Sequence, residues 1–239
     1  MIANNLQEIR NRIAAAARRA GRDASNVTLV AVSKGQPVER IAEAIAAGQR
    51  DFGENYAQEM LAHVGANLVF APAASGRIQD SPLQWHFIGH LQRNKVKQII
   101  GHSALIHSVD SPELVLEIDK RAAASEKIQP VLIELNLHGE SSKTGLAPDR
   151  AEMLVSEMNR LPHVDLKGLM TIPPATEDAE EARASFRLLR EIRDALNRKN
   201  VYKRPLAGLS MGMTHDFEIA IEEGATIVRV GTGIFGERT

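Results

Sequence analysis

Short apolar runs alternate along this chain with stretches in which apolar residues return every three or four positions. The runs cover Val27–Ser33, Asp51–Gly53, Leu83–Ile88, Leu105–Val109, Pro130–Asn136, Val164–Ile172, Pro205–Ser210 and Thr226–Val230. Their apolar, β-branched character fits strands covered on both faces, as in a parallel sheet. The stretches between them read as helices. Pro37 opens one that carries Ile41, Ala42, Ile45 and Ala46 on one face and closes at Gly48, the expected punctuation of proline in the first turn and glycine past the last. Others run from Asn55 to Val64, through Arg93, Lys95 and Lys97 after Gly89, from Ser111 to Ser125, from Pro148 to Leu161, from Asp178 to Lys199 and from His215 to Glu223. The helix at 178–199 begins among Glu177, Asp178, Glu180 and Glu181 and ends on Arg198 and Lys199, matching the sign of the helix dipole, with Phe186, Leu189, Ile192 and Leu196 on its buried face. Gly65–Pro82 is rich in Ala, Gly, Ser and Pro and reads as a surface insertion, expected to be poorly ordered.

Eight strands alternating with helices point to parallel βαβ units, and eight is the number that closes a (β/α)8 barrel. The expected fold is therefore α/β, a single (β/α)8 TIM barrel over residues 1–239 with an extra N-terminal helix, a doubly wound open sheet being the alternative. That extra helix, Leu6–Gly21, is amphipathic and arginine-rich, which superficially suggests a transit peptide. Its stripe of Leu6, Ile9, Ile13, Ala17 and Ala20 is explained equally by packing on the domain that follows, and it lacks a serine-rich character.

Composition narrows the partner. The chain has 239 residues, 29 Lys plus Arg against 30 Asp plus Glu, and no cysteine. Cancelling charges give no field that favours nucleic acid or an anionic membrane, so the expected partner is a small molecule. Without cysteine there is no disulfide, thiolate nucleophile or cysteine metal site, which fits a reducing compartment, and a cytoplasmic monomer is expected. No run approaches the ~18 apolar residues of a membrane span.

A barrel collects its ligands where the loops after the strands converge. Lys34 ends the first strand there. Either its ammonium snorkels to solvent, or burial lowers its pKa and leaves a nucleophilic amine that forms a Schiff base; moving that pKa from about 10.4 to near 7 needs ~4–5 kcal/mol of environment. After the seventh strand comes Ser210–Met211–Gly212–Met213, and after the eighth Gly231–Thr232–Gly233, where glycines admit backbone N–H groups to a phosphate and hydroxyls add donors. Arg229, on the eighth strand, is donor-only and would require a ring nitrogen in contact with it to be an unprotonated acceptor. His86 and His90 are four apart, but in a strand followed by glycine they need not face one way, and no metal site is expected. An amine, a phosphate cradle and an arginine together describe a pocket for pyridoxal 5′-phosphate (PLP), whose aldehyde, phosphate and pyridine nitrogen match them.

The chain resembles the pyridoxal phosphate homeostasis proteins, short relatives of the alanine racemase N-terminal barrel. The resemblance rests on Ala31–Lys34, Phe52–Asn55, Trp85–Gly89 with Leu91–Gln92 and Asn94–Lys95, Gly168–Met170, Leu209–Met213 and Val228–Thr232. It implies that Lys34 holds PLP as an aldimine, that Arg229 faces the pyridine nitrogen, that Ser210, Gly231 and Thr232 hold the phosphate, and that Asn55, His86 and Met170 border the ring. Departures from the family pattern are Gly35–Gln36 after the lysine, Thr214–His215 after the methionines, and the length of Gly65–Pro82.

Racemisation needs an acid and a base on opposite faces, and in the resembled racemases the second group is a tyrosine of a separate C-terminal domain. This chain ends at Thr239, directly after the barrel, and carries only Tyr56 and Tyr202. A non-catalytic role is therefore expected: binding and buffering PLP and delivering it to apo PLP-dependent enzymes, with no residue assigned as catalytic. A small PLP-dependent racemase or lyase, using Lys34 with His86 or water, is the alternative; a Schiff-base aldolase acting on a phosphorylated sugar is a third reading. Lys143, after the fifth strand, is a second amine able to accept or relay the aldehyde.

Overall fold

Alternate residues of a strand face opposite sides of its sheet, so eight strands must bury two surfaces. In the computed structural model, which describes residues 1–70, 82–139, 144–176 and 178–237, the strands are β1 (Thr28–Val32), β2 (Asp51–Glu54), β3 (Gln84–Phe87), β4 (Leu105–Val109), β5 (Gln129–Glu134), β6 (Val164–Met170), β7 (Gly208–Ser210) and β8 (Ile227–Val230). They form one closed barrel in sequence order with every pairing parallel. Closure is made by β8 on β1, with Thr28 opposite Ile227 and Val30 opposite Arg229, which selects the barrel over an open sheet.

Around it lie α1 (Ile2–Arg19), α2 (Val38–Ala46), α3 (Ala57–Phe70), α4 (Val96–Ile99), α5 (Pro112–Ala124), α6 (Ala151–Met158), α7 (Arg183–Arg198), α8 (Phe217–Glu222) and α9 (Thr232–Phe235). Outward-facing Leu29, Ala31, Phe52, Trp85, Phe87, Ile106, Ile133, Leu169, Leu209, Val228 and Val230 join the buried faces of these helices in one continuous apolar layer. Each fully buried Leu, Ile or Phe there contributes about 1.5–3 kcal/mol. The lumen is different. Leu105, Leu132 and Met170 form a separate small cluster inside, with Ile227 against it, and polar side chains take up much of the remaining space.

The extra helix, α1, buries Ile2, Leu6, Ile9, Ile13, Ala16 and Ala17 against α8 and α9. Arg12 pairs with Glu218 at 2.8 Å and Arg19 with Glu222 at 2.8 Å, orienting a helix whose apolar stripe supplies most of the affinity. On α7, Arg183, Arg187 and Arg190 converge on the buried Glu223 beside α8, and the hydrogen bonds that Arg183 donates to Glu180 and Glu222 raise its pKa.

Two sequence expectations change. Gly65 is no stop signal: α3 continues through Gly65–Phe70, because an interior glycine costs a helix only about 1 kcal/mol and ends it chiefly when it can adopt the left-handed C′ position. The rest of the expected insertion, residues 71–81, lies outside the described residues, as do Lys143 and Glu177. The turn after β8, expected as a loop, contains the short α9. Among the described residues, no helix is long and apolar enough to cross a membrane.

Candidate functional site

The site begins with the turn that ends β1. Ser33 N donates to Gly53 O at 3.0 Å and Gln36 N to Ser33 O at 3.0 Å, closing a turn with Lys34 and Gly35 at its centre. Gly35 has φ of +67°, the left-handed region that glycine enters without a Cβ penalty. Two carboxylates clamp the residues on either side of the lysine. Ser33 Oγ donates to Glu54 Oε1 at 2.5 Å, and Gly35 N donates to Glu59 Oε2 at 3.1 Å. Glu54 is fully buried and also bonds His63 Nδ1 at 2.9 Å, while the His63 ring stacks on Trp85. Lys34, partly buried, is thus presented from a turn anchored on β2 and α3.

Lys34 shares a cavity of about 280 Å³ with Val32, Gln36, Met213, Thr214, His215, Arg229, Gly231, Thr232 and Gly236. The volume sits at the small end of ordinary ligand pockets, about 300–1,000 Å³. At one wall Thr232 Oγ1 donates to Thr214 Oγ1 at 3.1 Å, with Gly233 N at 3.4 Å from the same oxygen. Two hydroxyls and a glycine-flanked backbone are a donor set suited to an anion. The buried Gln36 side chain adds an Oε1 that has no hydrogen-bond partner among the described residues. A bound polar molecule, or a turn of the amide exchanging oxygen for nitrogen, would satisfy it.

Arg229 closes the floor of this cavity. Its Nη1 donates to Ser210 Oγ and its Nη2 to Thr171 O at 3.0 Å. Burial lowers its pKa to about 10 against the opposing pull of Glu134 and Asp216, so the guanidinium stays charged at neutral pH. Glu134, at the end of β5, accepts from Thr144 Oγ1 at 2.9 Å, and its pKa is raised, chiefly by burial. Behind Ser210 a line of polar groups continues down the lumen. His107 Nδ1 lies 2.8 Å from Ser210 Oγ, His86 Nδ1 lies 2.9 Å from His107 Nε2, and His86 Nε2 lies 3.2 Å from Asp51 Oδ1. His107 is fully buried, and burial, reinforced by His86 and Arg229, holds its pKa well below 6.5.

Of the eight residues singled out from sequence, Lys34, Arg229, Gly231 and Thr232 meet in one cavity. Ser210 is fully buried with its hydroxyl engaged by Arg229 and His107, and does not line that cavity. His86 has both ring nitrogens engaged in the lumen, and Met170 packs with Leu105 and Leu132. Asn55 lines a separate hollow of about 420 Å³ with Tyr56, His90 and Lys95. Sequence reasoning did not single out Glu54, Glu59, His107 or Asp51, and treated Gln36 and Thr214 only as departures. A histidine inside the apolar run Leu105–Val109, two residues from Leu105 and so on the same strand face, was the one signal that could have flagged His107.

Known proteins match this arrangement along the whole barrel. The family described as alanine racemase, N-terminal domain, matches residues 4–239. The pyridoxal phosphate homeostasis protein of Aquifex aeolicus (strain VF5) is 47% identical over 233 residues, covering 98% of this chain and 96% of its own. That of Pseudomonas aeruginosa is 41% identical over 237 residues, covering 99% and 96%. The solved structure of PipY from Synechococcus elongatus PCC7942, with PLP bound, superposes with a TM-score of 0.83 at 34% identity, covering 99% of this chain and 100% of that one. With identities of this size spread over the full barrel, the chain belongs to the pyridoxal phosphate homeostasis protein family, within the alanine racemase N-terminal domain fold.

Proposed function

We propose that this protein binds PLP in the cavity beside Lys34, as a single domain and a cytoplasmic monomer, and buffers the cofactor and delivers it to apo PLP-dependent enzymes. The observation that carries this reading is the convergence of a lysine amine, a buried arginine and the Thr214–Thr232 hydroxyl pair on one cavity. The donor set fits the cofactor's three polar ends, and Gln36 Oε1, without a partner among the described residues, leaves a polar group for it to satisfy. The PLP held by PipY, a relative at 34% identity, supports the same assignment.

Bound PLP supplies an aldehyde that condenses with an amine and a pyridine ring that can accept electrons when its nitrogen is protonated. Lys34 is the amine that would hold it. Arg229 can only donate, so in contact with the pyridine nitrogen it would keep that nitrogen unprotonated and weaken the ring as an electron sink. Thr214, Thr232 and the backbone of Gly231 would hold the phosphate. Among the described residues, His215 is the one side chain lining the cavity besides Lys34 that could serve as a second acid or base for carbanion chemistry. Neither tyrosine lines the cavity: Tyr56 is exposed over the separate hollow, and the Tyr202 hydroxyl accepts from Leu166 N near the start of β6. His86 has no unengaged nitrogen.

The reading is tested by loading the protein with PLP, removing free cofactor and mixing with an apo-aminotransferase. Recovery of aminotransferase activity is expected, with no α-proton exchange when amino acids are incubated in deuterated buffer. Exchange over multiple turnovers would show an enzyme and overturn the carrier assignment. A narrower result is expected of Thr214→Val, which keeps the shape and removes the hydroxyl that accepts from Thr232 Oγ1. Its PLP affinity should fall about tenfold, the worth of one hydrogen bond to a charged group, while pyridoxal, which lacks the phosphate, binds both proteins alike. Equal losses for both ligands would take the phosphate away from this wall.

A further inference from the structure

Arg229 is buried and, among the described residues, has no carboxylate within ion-pair distance; Glu134 and Asp216 act on it only through space. Its guanidinium instead meets the hydroxyl that heads the polar line down the lumen. The direction of every hydrogen bond in that line follows from its ends. The Asp51 carboxylate only accepts, so His86 donates from Nε2. A neutral imidazole with its proton on Nε2 accepts at Nδ1, so His107 donates to it from Nε2 and in turn accepts at Nδ1 from the Ser210 hydroxyl. From the other end, the guanidinium only donates, so Ser210 Oγ accepts from it and has one proton to give, and His107 Nδ1 is the remaining partner. Both ends require the same order. A proton on His107 Nδ1 would leave the buried Ser210 hydroxyl hydrogen with no acceptor among the described residues.

We propose that Asp51, His86 and His107 are positioning residues for Arg229, linked through Ser210 into a relay of single polarity that turns an acceptor towards the guanidinium and holds it at the cavity wall. Each group in the relay presents its negative end to the cation, doing in a buried lumen what a directly paired carboxylate would do elsewhere. The relay runs from the start of β2, where Asp51 is partly exposed and borders a hollow at the opposite end of the barrel, through β3, β4 and β7 to β8. It also commits Ser210: a hydroxyl that accepts from Arg229 and donates to His107 belongs to the relay, and the phosphate is left to Thr214 and Thr232. This inference rests on the reading of the cavity as a PLP site.

Two measurements test it. In long-range proton–nitrogen spectra of the full chain, assigned with His86→Gln and His107→Gln, both imidazoles should be neutral with the proton on Nε2. A proton on Nδ1 of His107 would overturn the relay. In PLP titrations, His107→Leu, which fills the space without polarity, should bind about tenfold more weakly than wild type, whereas His107→Gln, which restores one acceptor and one donor, should return to within about threefold. Wild-type affinity in His107→Leu, or no rescue by a folded His107→Gln, would overturn the positioning role. Should His107→Leu fail to fold, Asp51→Ala at the open end of the relay replaces it, with unchanged PLP affinity as the overturning result. Absence of PLP binding by the wild-type protein would instead remove the proposed function, and the tautomers would still decide the relay.

Discussion

Lys34→Ala is expected to abolish the visible absorbance that the wild-type protein should acquire on loading with PLP, and to weaken retention of the cofactor by at least about a hundredfold. The expected loss is large because the amine would contribute a covalent bond, whereas every other group in the cavity would contribute hydrogen bonds worth about 0.5–3 kcal/mol each. The variant should fold. Lys34 sits in a turn whose backbone is held by Ser33, Gly35 and Gln36, with Glu54 and Glu59 bonded to its neighbours. Absorbance titration and borohydride reduction followed by peptide mapping check the result. A reduced adduct mapped to any other lysine of the wild-type protein would move the linkage away from β1.

Gly168→Ala should be the most destabilising single methyl group that can be added to the barrel, costing about 3 kcal/mol or more. The pairing of β5 with β6 shifts by one residue between Val131 and Leu132, whose partners are Leu166 and Gly168, and the residue skipped, Lys167, turns outward to Asp165. Gly168 is thereby set directly opposite Gly208 on β7. A Cβ there would stand 1.9 Å from Gly208 O and 2.7 Å from its Cα, backbone atoms that can withdraw only if the two strands part. Gly65→Ala serves as the contrast: among the described residues nothing lies within 4 Å of the added methyl, and α3 should gain about 0.5–1 kcal/mol. Urea midpoints measure both. A Gly168→Ala midpoint equal to that of wild type would mean that β6 and β7 separate at little cost.

Much of the barrel was legible because its information is local. The run Thr28–Val32 is apolar on both faces, and the punctuation at Pro37 and Ser111–Pro112 marks helix starts that the structure keeps at Val38 and Pro112. Gly65 misled because a glycine signals a helix end only through the conformation it adopts, which composition does not reveal. In the site, Lys34, Arg229, Gly231 and Thr232 were legible as residues at or beside strand ends, where the fold itself delivers them to one mouth. Thr214 was passed over because its worth lies in a 3.1 Å contact with Thr232, eighteen positions away.

The sequence by itself determined the alternation of strands and helices, the number of strands, and the lysine, arginine and hydroxyl types at the loop ends, since each follows from local periodicity and chemistry. Only the tertiary structure decided how those groups are divided. Closure of β8 on β1 aligns Val30 with Arg229, and the alternation of side chains sends Asp51, His86, His107, Ser210 and Arg229 into one lumen from five different strands. There Ser210 bonds a buried arginine, while Thr214 and Thr232 meet each other at the mouth. Hydrogen-bond direction passes from neighbour to neighbour in space, so the role of each group was set by partners distant in the chain.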